Sequence, residues 1–421
     1  MDVLIVGGGG REHALAWKLS TSPRIGKLYV APGNGGTRTV GENVPIAADD
    51  IPTLVNFAKE HSIGLTVVGP DNSLALGIVD AFQSTGLRIF GPSKSAAQIE
   101  SSKAFSKKLM HESGIPTAEF QIFSKYEEAL AYVHKRGAPI VVKASGLALG
   151  KGVYVCETVG EAEKALKEIM IDHAHKDAGA EVVVEDFLDG EEISVHALSD
   201  GKEYLMFPAS RDYKRIGEGD TGKNTGGMGT IAPVLGADDP MMGEIQKTLV
   251  GPALENLASQ GMPFSGLLYP GLKMTSKGPK VLEFNARFGD PETQVYMRLM
   301  KTDLLDILEA CADGKLAGKR VEWNAGFAVN IILASEGYPD AYKKGFPITG
   351  IEEAEKVPGV VVFHAGTSYD SALKTSGGRV LGVSAVGGTL QIALERAYAA
   401  ADSIQFEGKY FRRDIGAHVL T

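Results

Sequence analysis

The stretch VLEFNARFGDPETQ, Val281 to Gln294, alternates in chemistry with a period of two. Leu282, Phe284, Ala286 and Phe288 fall on one face and Glu283, Asn285 and Arg287 on the other, the pattern of a strand with one face in a core. The polar face holds a carboxylate, an amide and a guanidinium on a rigid element, and a turn with two more acids, Asp290 and Glu292, follows. A hard divalent cation takes oxygen ligands, often a few from protein and the rest from phosphates and water. Glu283 and Asn285, two residues apart on one face, can reach a single Mg²⁺ or Mn²⁺. Arg287, next along that face, can stabilise a developing anion as a fixed planar cation. A solvated face on an edge strand is the ordinary alternative, so the reading depends on what the rest of the chain supplies.

Upstream lies KASGLALGKGV (143–153), a Lys/Gly loop between two β runs. Its glycines let backbone approach phosphate oxygens while Lys143 and Lys151 supply charge. It lacks the order of a Walker A loop, and no helix follows it. Next comes VVVEDFLDGEEIS (182–194), a β run ending in paired acids and a glycine turn. Such a segment can be a hinge whose backbone reads an adenine edge and whose following Glu accepts from a ribose, or a plain acidic turn.

Working outward, the first hundred residues alternate short apolar strands ending in Gly or Gly-Pro with amphipathic helices. That alternation predicts a doubly wound parallel sheet with ligand loops at the strands' carboxyl ends. A small α/β segment follows, then longer alternating strands that predict an antiparallel sheet with a helix near 241–260. A polar, Gly/Lys-rich linker, ADGKLAGKRVEWN, precedes a third unit of strands and a closing helix from Thr389. The expected domains are 1–101, 102–315 with a lid subdomain at about 118–188, and 322–421.

Composition narrows the function. The 421 residues are 44% hydrophobic and 23% charged, with a net charge of -9, which argues against a nucleic-acid or acidic-membrane surface. Two cysteines without metal spacing suit a reducing, cytoplasmic setting and exclude a zinc framework. The opening apolar run is too short to span a membrane and reads as a first strand.

The order of lysine loop, hinge with Glu, then Glu-x-Asn-x-Arg resembles the ATP-grasp ligases, with spacing similar to the biotin-carboxylase-type branch. Longer motifs sharpen this: GGGGREHALAWK, GPSKSAAQIESSKAF, DTGKNTGGMG, EFNARFGDPETQ, FHAGT, GGRVLGV and the closing YFRRDIG occur in sequence. Together they resemble the glycinamide ribonucleotide synthetases from end to end. The resemblance implies an N-terminal parallel-sheet domain, an ATP-grasp fold of two subdomains and a small mixed α/β C-terminal domain. It implies an ATP- and Mg²⁺- or Mn²⁺-dependent ligase that activates glycine as an acyl phosphate and joins it to phosphoribosylamine. A monomer, or at most a weak dimer, is expected.

Carried onto this chain, the resemblance puts Lys103 and Lys143 on ATP phosphates under a lid that includes Ser145, Gly146, Gly150, Lys151 and Gly152. Glu185, Asp186, Phe187 and Leu188 become the adenine hinge, and Glu192 the ribose ligand. Glu283 and Asn285 match the metal ligands, and Arg287 the cation by the acyl phosphate. Asp212 and Asn224 would hold glycine, with Gly226 and Gly227 closing its pocket to larger side chains. For phosphoribosylamine the candidates are Gly9, Gly10, Arg11 and Glu12 at the first helix, Asp71 and Asp290 on the ribose, and Arg379 on the 5-phosphate.

Three segments depart from the family pattern. Ser145 replaces an acid in the lid, Asp71 and Ser73 stand where Glu and Pro are usual, and Lys223 replaces a Pro before NTGGMG. The strand LLYPGLKM also lacks an extra metal-binding Glu. Other readings are a sister grasp enzyme that carboxylates or formylates a ribonucleotide, an NAD-dependent oxidoreductase, and a nucleotide sensor. Glu12, standing where a dinucleotide fingerprint has its third glycine, argues against the oxidoreductase.

Overall fold

Four short apolar runs, each ending at glycine or proline, and the polar pair Glu42–Asn43 build the first sheet. In the computed structural model, which describes residues 1–148, 152–234 and 239–419, these strands are all parallel. Their order is Glu42–Asn43, Leu28–Pro32, Val3–Gly7, Leu65–Val68, Ile89–Phe90. Val3 to Val6 are fully buried, as a sheet covered by helices on both faces requires. The chain reverses direction of assembly at the central strand, so a crevice opens beyond its carboxyl end, where Gly7 leads into the helix Gly10–Ser20.

After the first sheet come two helices, Gln98–Ser101 and Lys103–Glu112. Ser102 adopts an extended conformation between them and caps the second helix by accepting from the Phe105 amide at 3.2 Å. The lid follows as a four-stranded antiparallel sheet in the order Phe120–Phe123, Val182–Asp186, Ile140–Ala144, Val153–Cys156. Ile140, Val142 and Ala144 pack into the core under its two helices. Their alternates Val141 and Lys143 therefore face the opposite way, toward the cleft.

The central sheet is antiparallel around the long strand Ser265–Thr275. Glu191–Ser194 and Ala197–Asp200 share one of its edges and Gly278–Asn285 takes the other. A bulge corrects the simple alternation of the opening stretch. Leu272 pairs with Val281 and Gly271 with Glu283, so Leu282 is an unpaired extra residue. Val281 is fully buried while Leu282 lines the cleft, the reverse of the expected placement of Leu282. The strand also ends at Asn285, leaving Arg287 just beyond it.

The C-terminal sheet does not stop at the polar linker. Its long strands Phe327–Ser335 and Arg379–Gly387 are joined by Gly229–Ala232, which pairs with the former, and by Arg211–Asp212 at the edge. Asp212 and Arg379 thus belong to one sheet although 167 positions separate them in sequence (379 less 212). The helix Leu390–Ser403, capped by Thr389, covers this sheet. Among the described residues no helix is long and apolar enough to cross a membrane.

Candidate active site

A cleft of about 430 Å³ lies where the lid, the central sheet, the N-terminal domain and the C-terminal sheet meet. At the lid end Lys143 extends from its strand to donate to the Leu282 carbonyl at 3.1 Å, an oxygen that the bulge turns outward. Lys143 also pairs with Glu185 at 2.5 Å, and Lys107 grips the other Glu185 oxygen at 2.5 Å. Burial alone pushes the Glu185 carboxyl up, but the two ammonium groups overcome it and hold the group below its ordinary range. Burial also draws Lys107 down to about 8, against the opposing pull of Glu185. Sequence reasoning missed Lys107, although its i, i+4 spacing from Lys103 on one helix was a usable signal.

The hinge differs in part from expectation. Asp186, Phe187 and Leu188 line the cleft, but the Glu185 side chain is an internal counter-charge to two lysines. Asp186 pairs with Arg136 of the lid helix. Glu192 lies farther along the same wall, 3.4 Å from Lys273 and 3.8 Å from Lys214.

The lid glycines divide. Gly152 lines the cleft. Gly146 does not, and a Cβ there would meet Ala178 Cα at 2.6 Å, so its glycine is a packing requirement. The buried Ser145 hydroxyl accepts from the Ala104 amide at 3.1 Å and so supports the first turn of the helix that carries Lys103. Gly150 and Lys151 lie outside the described residues.

The metal strand crosses the middle of the cleft. Glu283 faces Lys214 at 3.8 Å. Burial raises its carboxyl, yet Lys214, Lys143, Lys103 and Arg287 together lower it to about 2. Asn285 turns its carbonyl oxygen to Arg287, whose Nη2 donates to it at 2.9 Å. The same Nη2 lies 3.0 Å from Glu100, and Arg287 Nε is buried with no partner among the described residues. Burial works against the arginine's charge, but Glu100 and Asp71 more than compensate and keep it cationic. No group of three His, Cys, Asp or Glu side chains that could hold a metal occurs among the described residues. One anionic and one amide oxygen on a strand therefore suit a hard cation that draws its remaining ligands from phosphates.

At the far end Asp212 Oδ1 is buried without a partner among the described residues. Burial, reinforced by nearby Glu292, pushes this carboxyl well above its ordinary value, against Lys214 and Arg379. Glu292, to which no role could be assigned from the sequence, is 1% exposed and accepts from Tyr269 at 2.5 Å and Ser194 at 3.1 Å. Asn224 and Gly226 line this end, whereas Gly227 does not. A Cβ on Gly227 would sit 2.4 Å from Asp212 Oδ1 and 2.5 Å from Pro291, and its φ of +108° suits glycine. Lys223 ties its loop to Asp340 at 2.8 Å, a tether where the family pattern has a rigid proline.

The N-terminal glycines also need correction. Gly9, Gly10 and Glu12 are not in the cleft wall, although Arg11 and Asp71 are. Glu12 is 1% exposed, accepts from the Gly9 amide at 2.6 Å and from Arg11 at 2.7 Å, and fills the space beside Gly7 and Gly69. A Cβ at Gly69 would fall 1.9 Å from its carboxylate. The first helix begins against the Asp290 carboxylate: a Cβ at Gly9 would fall 3.4 Å from its Oδ2 and one at Gly10 3.5 Å from its Oδ1. Asp290 also meets Arg379 at 3.4 Å and Gln294 at 3.0 Å. Despite burial, these partners hold its carboxyl below the ordinary range. Arg379 additionally donates to the Gly226 carbonyl at 2.5 Å and the Asp290 carbonyl at 2.8 Å, which fixes the guanidinium at the cleft edge.

Comparison with known proteins matches the three domain models of phosphoribosylglycinamide synthetase: the N domain over residues 1–100, the ATP-grasp (A) domain over 101–293 and the C domain over 328–418. The chain is 49% identical over 420 residues to the phosphoribosylamine–glycine ligase of Pasteurella multocida, covering 99% of this chain and 97% of that one. The crystal structure of phosphoribosylamine–glycine ligase from Thermotoga maritima superposes with a TM-score of 0.86 at 34% identity, covering 98% of this chain and all of that one. A biotin carboxylase from Campylobacter jejuni shares the fold, with a TM-score of 0.74 at 14% identity over 97% of this chain and 92% of that one.

Proposed function

The chain belongs to the phosphoribosylglycinamide synthetase family, and from that premise we propose how its cleft performs the reaction. The protein is an ATP-dependent ligase of purine biosynthesis that joins phosphoribosylamine to glycine. Our reading of its mechanism is that a glycine carboxylate oxygen attacks the γ-phosphorus of ATP, ADP leaves, and a glycyl phosphate forms. The amine of phosphoribosylamine then attacks the carbonyl carbon, phosphate departs, and the new amide nitrogen sheds a proton.

One observation supports this most: Glu283, Asn285 and Arg287 enter a single cleft between a lysine-lined end and an unpartnered buried carboxylate. In this reading Lys103 and Lys143 hold the phosphates, and Asp186 to Leu188 contact adenine with Glu192 at the ribose. Glu283 and Asn285 hold Mg²⁺ or Mn²⁺, which neutralises phosphate charge when bound. Asp212 takes the glycine ammonium, Asn224 its carboxylate, and Gly226 in the cleft wall leaves little space for a larger amino acid. Arg287 meets the developing charge of the acyl phosphate with its unpartnered Nε–H. Arg11, Asp71, Asp290 and Arg379 surround the ribosylamine, the arginine on the 5-phosphate. No protein nucleophile is required, because orientation and fixed charge suffice for this chemistry.

The test is ADP release measured with each component omitted in turn. Release should require the divalent ion, glycine and phosphoribosylamine together. Equal turnover with alanine in place of glycine, or with bicarbonate or formate, would overturn the reading.

A further inference from the structure

Arg287 presents a structural problem. It lies two residues past the end of its strand, beyond the ladder that fixes Glu283 and Asn285. Its Nη2 rests on the Asn285 carbonyl oxygen at 2.9 Å, the oxygen assigned above to the divalent ion. When that oxygen turns to a metal, the guanidinium loses a partner and needs another to keep its place.

Glu100 supplies it. This residue sits on the short helix Gln98–Ser101, immediately ahead of Lys103. Its side chain is 8% exposed, and its two oxygens hold two successive residues. Oε1 lies 3.0 Å from Arg287 Nη2, and Oε2 accepts at 2.7 Å from the backbone amide of Ala286, the residue before it. A carboxylate that holds backbone and guanidinium together limits both the position and the rotation of the arginine. Asp71, another acid near Arg287, spends an oxygen on the Asn72 amide.

We propose that Glu100 is a positioning residue that aims Arg287 at the acyl phosphate and retains it there when the Asn285 oxygen turns to the metal. It touches no reacting atom; it acts through Arg287, and so this inference rests on the role given to that arginine above. It also couples the phosphate end to the acyl-phosphate cation, because the next helix begins only two residues later with Lys103.

The experiment is a double-substitution cycle on the full-length protein with Glu100→Gln and Arg287→Ala. Glutamine keeps an acceptor for the Ala286 amide and removes the charge. Glu100→Gln alone should lower kcat by about 10- to 100-fold while KM for MgATP and for glycine stay within about threefold. In the Arg287→Ala background it should cost less than about threefold more, since the arginine it aims is gone. Losses that multiply, or a KM for MgATP that rises as much as kcat falls, would overturn the inference and leave Arg287 untouched. If Arg287→Ala itself leaves kcat unchanged, the catalytic reading of Arg287 fails first, and Glu100 with it. Should Glu100→Gln not fold, Glu100→Asp carries the same cycle, with non-additive loss of kcat expected and additive loss contradicting.

Discussion

The two ends of the cleft treat charge in opposite ways. At the lid end, Glu185 is enclosed by Lys107 and Lys143, both at 2.5 Å, so its carboxylate is fully paired before any ligand arrives. At the glycine end, Asp212 faces Glu292 across a buried space and keeps one oxygen unpartnered among the described residues. The difference follows from what each end is proposed to hold. Lysines waiting for phosphates repel one another and need an internal counter-anion, whereas a carboxylate waiting for an ammonium is best left uncompensated. Arg287 stands between the two, held by Glu100 and Asn285.

The largest effect is expected where the ends meet. Arg287→Ala should cut kcat by about 10²- to 10³-fold and change MgATP affinity by less than about threefold, because its cation acts on charge that develops during the reaction. Steady-state kinetics beside equilibrium nucleotide binding separates the two, and equal losses in both would remove the arginine from the chemistry.

Next comes the under-compensated end. Asp212→Asn should raise KM for glycine by about 10- to 100-fold, the worth of a hydrogen bond to a charged group, with MgATP binding unchanged. The wild-type pH profile carries a matching sign. Burial and Glu292 raise the Asp212 pKa, so the carboxyl gains the charge an ammonium needs only as pH climbs through that raised value. KM for glycine should therefore fall with rising pH in the wild type and lose that dependence in Asp212→Asn. A profile that both proteins share would place the titration elsewhere.

The smallest effect belongs to the saturated end. Lys107→Met leaves Glu185 with Lys143 as its remaining ammonium partner and should lower stability by about 1–3 kcal/mol. Here too the pH dependence has a definite direction. The folded lysine titrates near 8 and the ordinary value is 10.5, so the cost of burying its charge is fully present below about pH 8. That cost is relieved as pH rises toward 10.5. The stability of wild type relative to Lys107→Met, followed by denaturant unfolding, should climb across that window. A flat difference would mean that Lys107 is not buried as a charge.

The sequence disclosed the order of these parts better than their directions. Alternation placed Glu283 and Asn285 on one polar face, and four short apolar runs indicated the parallel sheet, because both patterns are local; the polar edge strand Glu42–Asn43 carried no such mark. Leu282 was misplaced because a bulge depends on pairing with Gly271 and Leu272 and leaves no mark in the alternation. Glu185 looked like a hinge residue, yet its rotamer is set by Lys107, 78 positions earlier (185 less 107). The N-terminal glycines resembled a ligand loop, but Glu12 packs against Gly7, Gly9 and Gly69, which makes them a condition of packing as much as of binding. Glycine marks close approach without saying to what. Glu100 stood in a quoted motif without a role, since its partner lies 187 residues away (287 less 100).

Everything proposed for the centre of the cleft depends on phosphate being carried away on an oxygen that began in glycine. The direct measurement uses glycine labelled with ¹⁸O in its carboxylate, in full turnover with MgATP and phosphoribosylamine, followed by mass analysis of the inorganic phosphate. The account predicts one labelled oxygen in each phosphate released. Phosphate that carries no label while the amide still forms would show that no glycyl phosphate is made, and would contradict the roles given to Glu283, Asn285 and Arg287.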